Sequence, residues 1–300
     1  MSVPLAYLGV VIVWSTTPLA IKWSGEDVGF LFGVASRMAI ALAVSLLLIA
    51  LWRKALPRTK EALHVYLAVG VPLFLAMSSV YWGAQYIPSG LISVIFGLTP
   101  LITGLMAIYW IKEHSFTPFR VLGLAMSLYG LALIFKHSLV LGEGAHFGIL
   151  GVFGAVFFHS LGTVWMKKVG NNLNAFSANT GGLIVAVTLY SITWLLFDGG
   201  LPVEISDRSV LSIVYLAVFG SVFGAVLFYF ALKRVSTDKM ALLTLITPVT
   251  ALLIGRFYNN EILDHATLMG VVFVLCGLLT YQWASFVLSY VLKMRINGIG

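Results

Sequence analysis

The chain has 300 residues; 60% are hydrophobic, only 10% are charged, the net charge is +7 and the mean hydropathy is +1.01. Soluble domains carry about 25% charged residues, so a water-soluble globular protein is excluded: too few charges remain to coat its surface. The 13% aromatic content excludes disorder, and the lone Cys276 excludes a disulfide framework or a cysteine-cluster metal site. The positive charge lies in short clusters between apolar runs, which is a topology signal and not a nucleic-acid surface. Those runs are continuous, unlike the alternating strands of a β-barrel.

A helical membrane span needs roughly 20 apolar residues. Ten spans are predicted, at 4–22, 30–52, 64–86, 90–110, 118–136, 147–167, 176–197, 209–232, 239–258 and 266–287. No small-residue cleavage site follows the first, so it reads as a retained helix. At its centre stands Trp14-Ser15-Thr16-Thr17-Pro18. Pro18 removes a backbone bond and frees the Trp14 carbonyl. Trp14 adds a stacking surface and an indole donor. Trp14, Ser15 and Thr17 are therefore candidate substrate contacts; the alternative is a kinked helix whose hydroxyls bond their own backbone.

Arg37 is the one strongly basic residue well inside a span. A guanidinium there needs helix-end carbonyls, Glu26, Asp27 or a substrate carboxylate, unless it snorkels to the interface. In the third span Ser78, Tyr81, Trp82 and Gln85 share a helical face. Thr99-Pro100 in the fourth span and Thr247-Pro248 in the ninth read as hinges, with the Thr hydroxyls repairing the interrupted backbone ladder. His159-Ser160 lies mid-span in the sixth; His159 either bonds substrate or satisfies a neighbouring helix. Trp165 is an interfacial anchor or a ligand contact. Asn179, Thr180 and Ser221 are further cavity candidates. No Asp or Glu lies near the middle of a span, so a carboxylate proton relay is not expected.

The chain contains an internal repeat. Tyr81 to Glu113 aligns without gaps on Tyr229 to Glu261, pairing Thr99-Pro100 with Thr247-Pro248; after a one-residue slip Gly123 and Gly130 match Gly270 and Gly277. Trp14-Ser15 matches His159-Ser160, and Lys22 matches Lys167. The repeats are placed at 1–140 and 141–300. Each holds five helices, an odd number, so the second enters the membrane upside down. Of the 18 Lys and Arg, thirteen fall on the side of the termini and four on the other. That bias puts both termini in the cytoplasm. Tyr81 and Tyr229 then sit at mirrored depths, as gating residues or as members of the interfacial aromatic belt. Pro18 joins Thr99, Pro100, Thr247 and Pro248 as a hinge candidate. Glu113 and Glu261 read as helix-end features.

Two five-helix halves, with the run Ala-Leu-Lys-Arg-Val-Ser-Thr-Asp-Lys-Met-Ala-Leu-Leu-Thr-Leu-Ile-Thr-Pro and the following Asn-Glu, resemble the EamA-type members of the drug/metabolite transporter superfamily. Within it the chain is most similar to YddG-like exporters of aromatic amino acids. The resemblance implies ten helices, cytoplasmic termini, a cavity between the halves and export of small solutes. Thr precedes Pro100 and Pro248 where many such proteins carry Glu, so no Glu-based coupling is carried over.

The expected fold is thus an all-α polytopic membrane protein with ten transmembrane helices in two inverted repeats around a central cavity. The expected function is export of aromatic or apolar amino acids by alternating access. A carrier of nucleotide sugars or phosphate esters is the alternative, although such ligands call for more deep basic residues than Arg37. An intramembrane enzyme lacks its motifs: there is no Gly-x-Ser-x-Gly elbow, no His-Glu-x-x-His and no buried acid pair. His159 and Ser160 point about 100° apart. A receptor or purely structural role fits neither the inverted repeat nor the short loops. No cofactor is expected, and no metal. The expected partners are a small-molecule substrate and the lipid bilayer, with no nucleic acid and no second copy. The expected location is the cytoplasmic (inner) membrane of a bacterium.

Overall fold

The computed structural model describes residues 2–112, 117–136, 142–169, 173–197, 200–232 and 243–296; the side chains of 225, 229, 230, 232 and 284–296 fall outside that description. The helices are α1 (Val3–Ser24), α2 (Phe30–Leu51), α3 (Lys60–Ala84), α4 (Ser89–Phe96), α5 (Thr99–Ile111), α6 (Pro118–Lys136), α7 (Ala145–Val169), α8 (Ala175–Phe197), α9 (Asp207–Tyr215), a π-helical segment (Leu216–Phe223), α10 (Gly224–Leu232), α11 (Leu243–Asn259) and α12 (His265–Ile296). Among the described residues nine stretches are long and apolar enough to cross a membrane, counting α4 with α5 and α9 with the segment after it. The tenth crossing is α11, of 17 residues. The positions immediately before it lie outside the described residues, as do Glu113 and the 140/141 boundary.

The ends of the elements follow local chemistry. Thr59 Oγ1 accepts the Ala62 N–H at the start of α3. Ser206 accepts the Ser209 N–H at the start of α9. Lys112 (φ 53°) and Asn260 (φ 52°), partners in the repeat alignment, close helices four and nine in the left-handed region. The fourth crossing is not one helix. It breaks at Gly97-Leu98 because Pro100 brings no N–H to the Phe96 carbonyl, which takes the Thr99 hydroxyl instead at 2.6 Å. The ninth crossing stays continuous through Pro248, where Thr247 Oγ1 donates to Leu243 O at 2.8 Å.

The packing pattern is two-fold. α1 packs on α9 and α10 as α7 packs on α3; α1 packs on α11 as α7 packs on α5; α2 packs on the π-helical segment as α3 packs on α8. The pairs α2–α8, α4–α11 and α6–α12 lie on the axis relating the halves. On the last pair the glycines cross. A Cβ on Gly123 would meet Gly277 O at 2.6 Å, and one on Gly130 would meet Gly270 O at 2.5 Å. Backbone touches backbone there, which only glycine permits. α4 sits at the centre, buried from Ser89 to Ile95.

On the face remote from the termini, the turn after α1 docks on the start of α9. Asp27 accepts hydrogen bonds from Ser206 and Ser209. These bonds first, and then the nearby Arg208 charge, hold its carboxyl below the usual range. A lowered carboxylate pKa adds stability that is present above the unfolded value of about 4 and is lost as pH falls through the folded one. Asp27→Asn is expected to lower the melting temperature slightly at pH 7 and not at pH 3, measured by intrinsic fluorescence.

Candidate functional site

The candidate groups stand on helices one, two, three, four, six, seven and eight. Arg37 is 5% exposed. Its Nε donates to Ser221 Oγ at 3.1 Å and its Nη1 to Tyr81 Oη at 3.3 Å, and the guanidinium lies 5.9 Å from the Tyr81 ring centre. Ser221 in turn donates to Leu216 O, five residues back, at 3.1 Å. The π-helical segment therefore presents a hydroxyl to the arginine; such bulges recur at functional sites. Glu26 pairs with Arg208 and Asp27 with the two serines. Among the described residues no carboxylate lies within ion-pair distance of Arg37. Beside it, Ser78 Oγ donates to Tyr190 Oη at 3.2 Å, and Tyr190 donates to Phe74 O at 3.0 Å.

The repeat-related pair Ser15 and Ser160 are both buried, and each bonds a threonine of the other half. Ser15 bonds Thr250 on α11, and Ser160 accepts from Thr103 on α5 at 2.9 Å. These pins set the rotation of α1 and α7 and therefore the direction of Trp14 and His159. His159 is exposed, yet it shares a face with the buried Gly148, Val152, Ala155 and Val156 and lies away from the exposed Phe147, Leu150 and Phe157. An accessible side chain on an inward face marks open space between helices. Asn179 gives the same sign: it is half-exposed on the face of α8 that buries Leu183, Ala186 and Tyr190. The Phe96 ring, at the break in helix four, lies 6.5 Å from His159 between centres. Trp14 is half-buried and packs on Phe228 at 4.9 Å.

Other expected residues are placed differently. Thr17 Oγ1 bonds Val13 O at 2.7 Å, and Thr16 bonds Ile12 O and Tyr215 Oη. The hydroxyls of Ser15 and Thr17 are thus engaged within the protein. The shared face of helix three divides. Ser78 and Tyr81 turn to α8 and α2, while Trp82 packs on Tyr86 and on Phe147 of α7. Gln85 is exposed and bonds Trp82 O. Thr180 is buried and bonds Phe176 O. Trp165 is half-buried toward the end of α7. The Tyr229 side chain lies outside the described residues. A small cleft between α5, α6 and α12, lined by Leu101, Arg120, Leu124 and Tyr281 among others, holds none of the expected residues. Sequence reasoning missed Phe96 and Tyr190. The Thr99-Pro100 pair three residues after Phe96 was the available signal for the first.

Comparison with known proteins gives a consistent set. The profile of the EamA-like transporter family matches twice, over residues 1–136 and 146–281. The chain is 23% identical to "Uncharacterized transporter YoaV" of Bacillus subtilis, covering 93% of this chain and 96% of that one. It is 25% identical to "Protein PagO" of Salmonella typhimurium, covering 93% of each. It is 22% identical to a "Probable amino-acid metabolite efflux pump" of Escherichia coli, covering 90% of this chain and 91% of that one. A solved crystal structure superposes with a TM-score of 0.62 at 19% identity, covering 94% of this chain and 97% of that one. It shares the fold.

Proposed function

The chain belongs to the EamA-like transporter family, and from that premise we propose that it exports amino acids with aromatic or apolar side chains by alternating access. The observation that carries this reading is Arg37, a buried cation held by two hydroxyls and no carboxylate among the described residues. A charge at that depth is costly unless paired, and a substrate carboxylate supplies the missing partner. Trp14, Phe96 and His159 offer aromatic surface for the side chain. The relative named as an amino-acid metabolite efflux pump points the same way. A nucleotide sugar or phosphate ester brings two or more negative charges, whereas Arg37 is the single buried Lys or Arg among the described residues. The transporter is read as a monomer. It is placed in a bacterial cytoplasmic membrane with both termini inside. No acid lies mid-span, so flux is read as independent of a proton gradient.

The test is flux of labelled phenylalanine or tryptophan in proteoliposomes, with and without a pH gradient. Saturable flux that needs no gradient and falls about tenfold in Trp14→Ala or His159→Ala is expected, the scale of losing one stacking or hydrogen-bond contact. Flux that requires the gradient would overturn the uncoupled reading. No flux above empty liposomes, from protein shown to be folded, would overturn the substrate.

A further inference from the structure

We propose that Glu261 is the centre of a polar latch that holds the face remote from the termini closed, and that its release opens the central space to that side. This rests on the chain being a transporter and not on which substrate it carries.

Glu261 follows α11, and its side chain is only 9% exposed. Its Oε2 accepts from Ser89 Oγ at 3.0 Å and from the Gly90 N–H at 3.3 Å. Its Oε1 accepts from Asn259 Nδ2 at 2.9 Å and lies 3.9 Å from Lys22 Nζ. Lys22 also donates to Ile87 O at 3.2 Å, and Trp23 Nε1 donates to Asn259 Oδ1 at 3.1 Å. One carboxylate thus joins the end of α1 and the start of α4, both in the first repeat, to the end of α11 in the second.

The physics explains why an acid stands there. The first amides of a helix have no partners within it. α4 is buried from its first residue, so water does not reach them readily. Glu261 supplies the acceptor, and its charge suits the positive end of the helix. α4 is also a short separate rod, cut from α5 at Gly97-Leu98. A rod with a break at one end and a polar attachment at the other is built to move. The attachment is reversible, because water replaces each partner when the face opens. The accessible Asn179, five residues into α8 on the termini side, and the accessible His159 place the open space away from this face. The Glu26–Arg208 pair on the same face is half or more exposed, and exposed pairs contribute little. It serves as the control.

The experiment reads accessibility and needs no substrate. Ser93 is buried, one turn after Ser89 on the same face of α4. Ser93→Cys is made in a Cys276→Ala background and treated with a membrane-impermeant maleimide in right-side-out and inside-out vesicles. A protease-cleavable C-terminal tag reports which side carries the termini. From the opposite side, labelling is expected to be slow in the parent, to rise about tenfold in Glu261→Ala and several-fold in Glu261→Gln and Ser89→Ala, and to stay unchanged in Glu26→Ala. If Glu261→Ala does not fold, the two milder variants carry the test. Unchanged labelling in folded Glu261→Gln and Ser89→Ala would overturn the latch. An equal rise in Glu26→Ala would overturn it too, since any loosening of the face would then suffice. Raised labelling with no amino-acid flux would fault the substrate reading alone.

Discussion

An Arg37→Met variant is expected to fold as well as the parent and to lose its carboxylate-bearing substrate. Met fills most of the arginine's volume without placing a charge at membrane depth. Removing the charge relieves the cost of holding it at membrane depth, and this offsets the cost, about 1–3 kcal/mol, of leaving the buried Tyr81 hydroxyl without its partner. The melting temperature of the purified protein should therefore stay near the parent's. Hydrogen bonds to a charged group are worth about 1.5–3 kcal/mol, which raises the KM for phenylalanine about 10- to 100-fold. Phenethylamine, which lacks the carboxylate, is expected to be handled alike by both proteins. Arg37→Lys should fall between, because one ammonium does not reproduce the fork that meets Ser221 and Tyr81 together. A lower melting temperature, with equal loss for both compounds, would make Arg37 a clamp between helices two, three and eight.

Gly130→Leu is expected to separate α6 from α12. A Cβ there would stand 2.5 Å from Gly270 O, 2.7 Å from Val274 N and 2.9 Å from Phe273 Cβ. Two of those atoms are backbone and have no rotamer to retreat into. Overpacking costs about 1–3 kcal/mol where side chains adjust, and this site belongs at or above the upper end. Within a bilayer, close packing is itself a main source of helix association, so little compensates. Size-exclusion profiles of heated, detergent-solubilised protein should show a large loss of the folded peak, with Gly130→Ala intermediate. An unchanged profile for Gly130→Leu would mean the two helices are not held by this contact.

The crossings were legible because each is an apolar run ended by a local signal: Ser24-Gly25, Arg53-Lys54, the Pro88-Ser89 turn. The repeat was legible in paired Thr-Pro and Gly positions. That Gly123 meets Gly277 and not its own mate was not legible, since crossing is a property of two helices in space. The same limit governs the site. Arg37 stood out as a deep charge, but its partners lie 44 and 184 residues away, and spacing carries no information over such distances. Glu261 read as a helix end; its bond to Ser89 spans 172 residues. Ser15 and Thr17 read as ligands because a mid-span hydroxyl invites it, and each is bonded inside the protein. The π-helical stretch carries no sequence signature and was not foreseen.

That stretch belongs to one repeat only. Its counterpart, α3, runs from Lys60 to Ala84 as uninterrupted α-helix. If the two halves traded shapes perfectly, the molecule facing one way would be the mirror in energy of the molecule facing the other. Here the wider turn cannot migrate to α3, whose sequence differs, so that degeneracy is broken. If transport proceeds by the alternating access proposed above, the unloaded carrier has a preferred orientation, set by the chain before any solute arrives, and each cycle lifts it out of that rest position and returns it there.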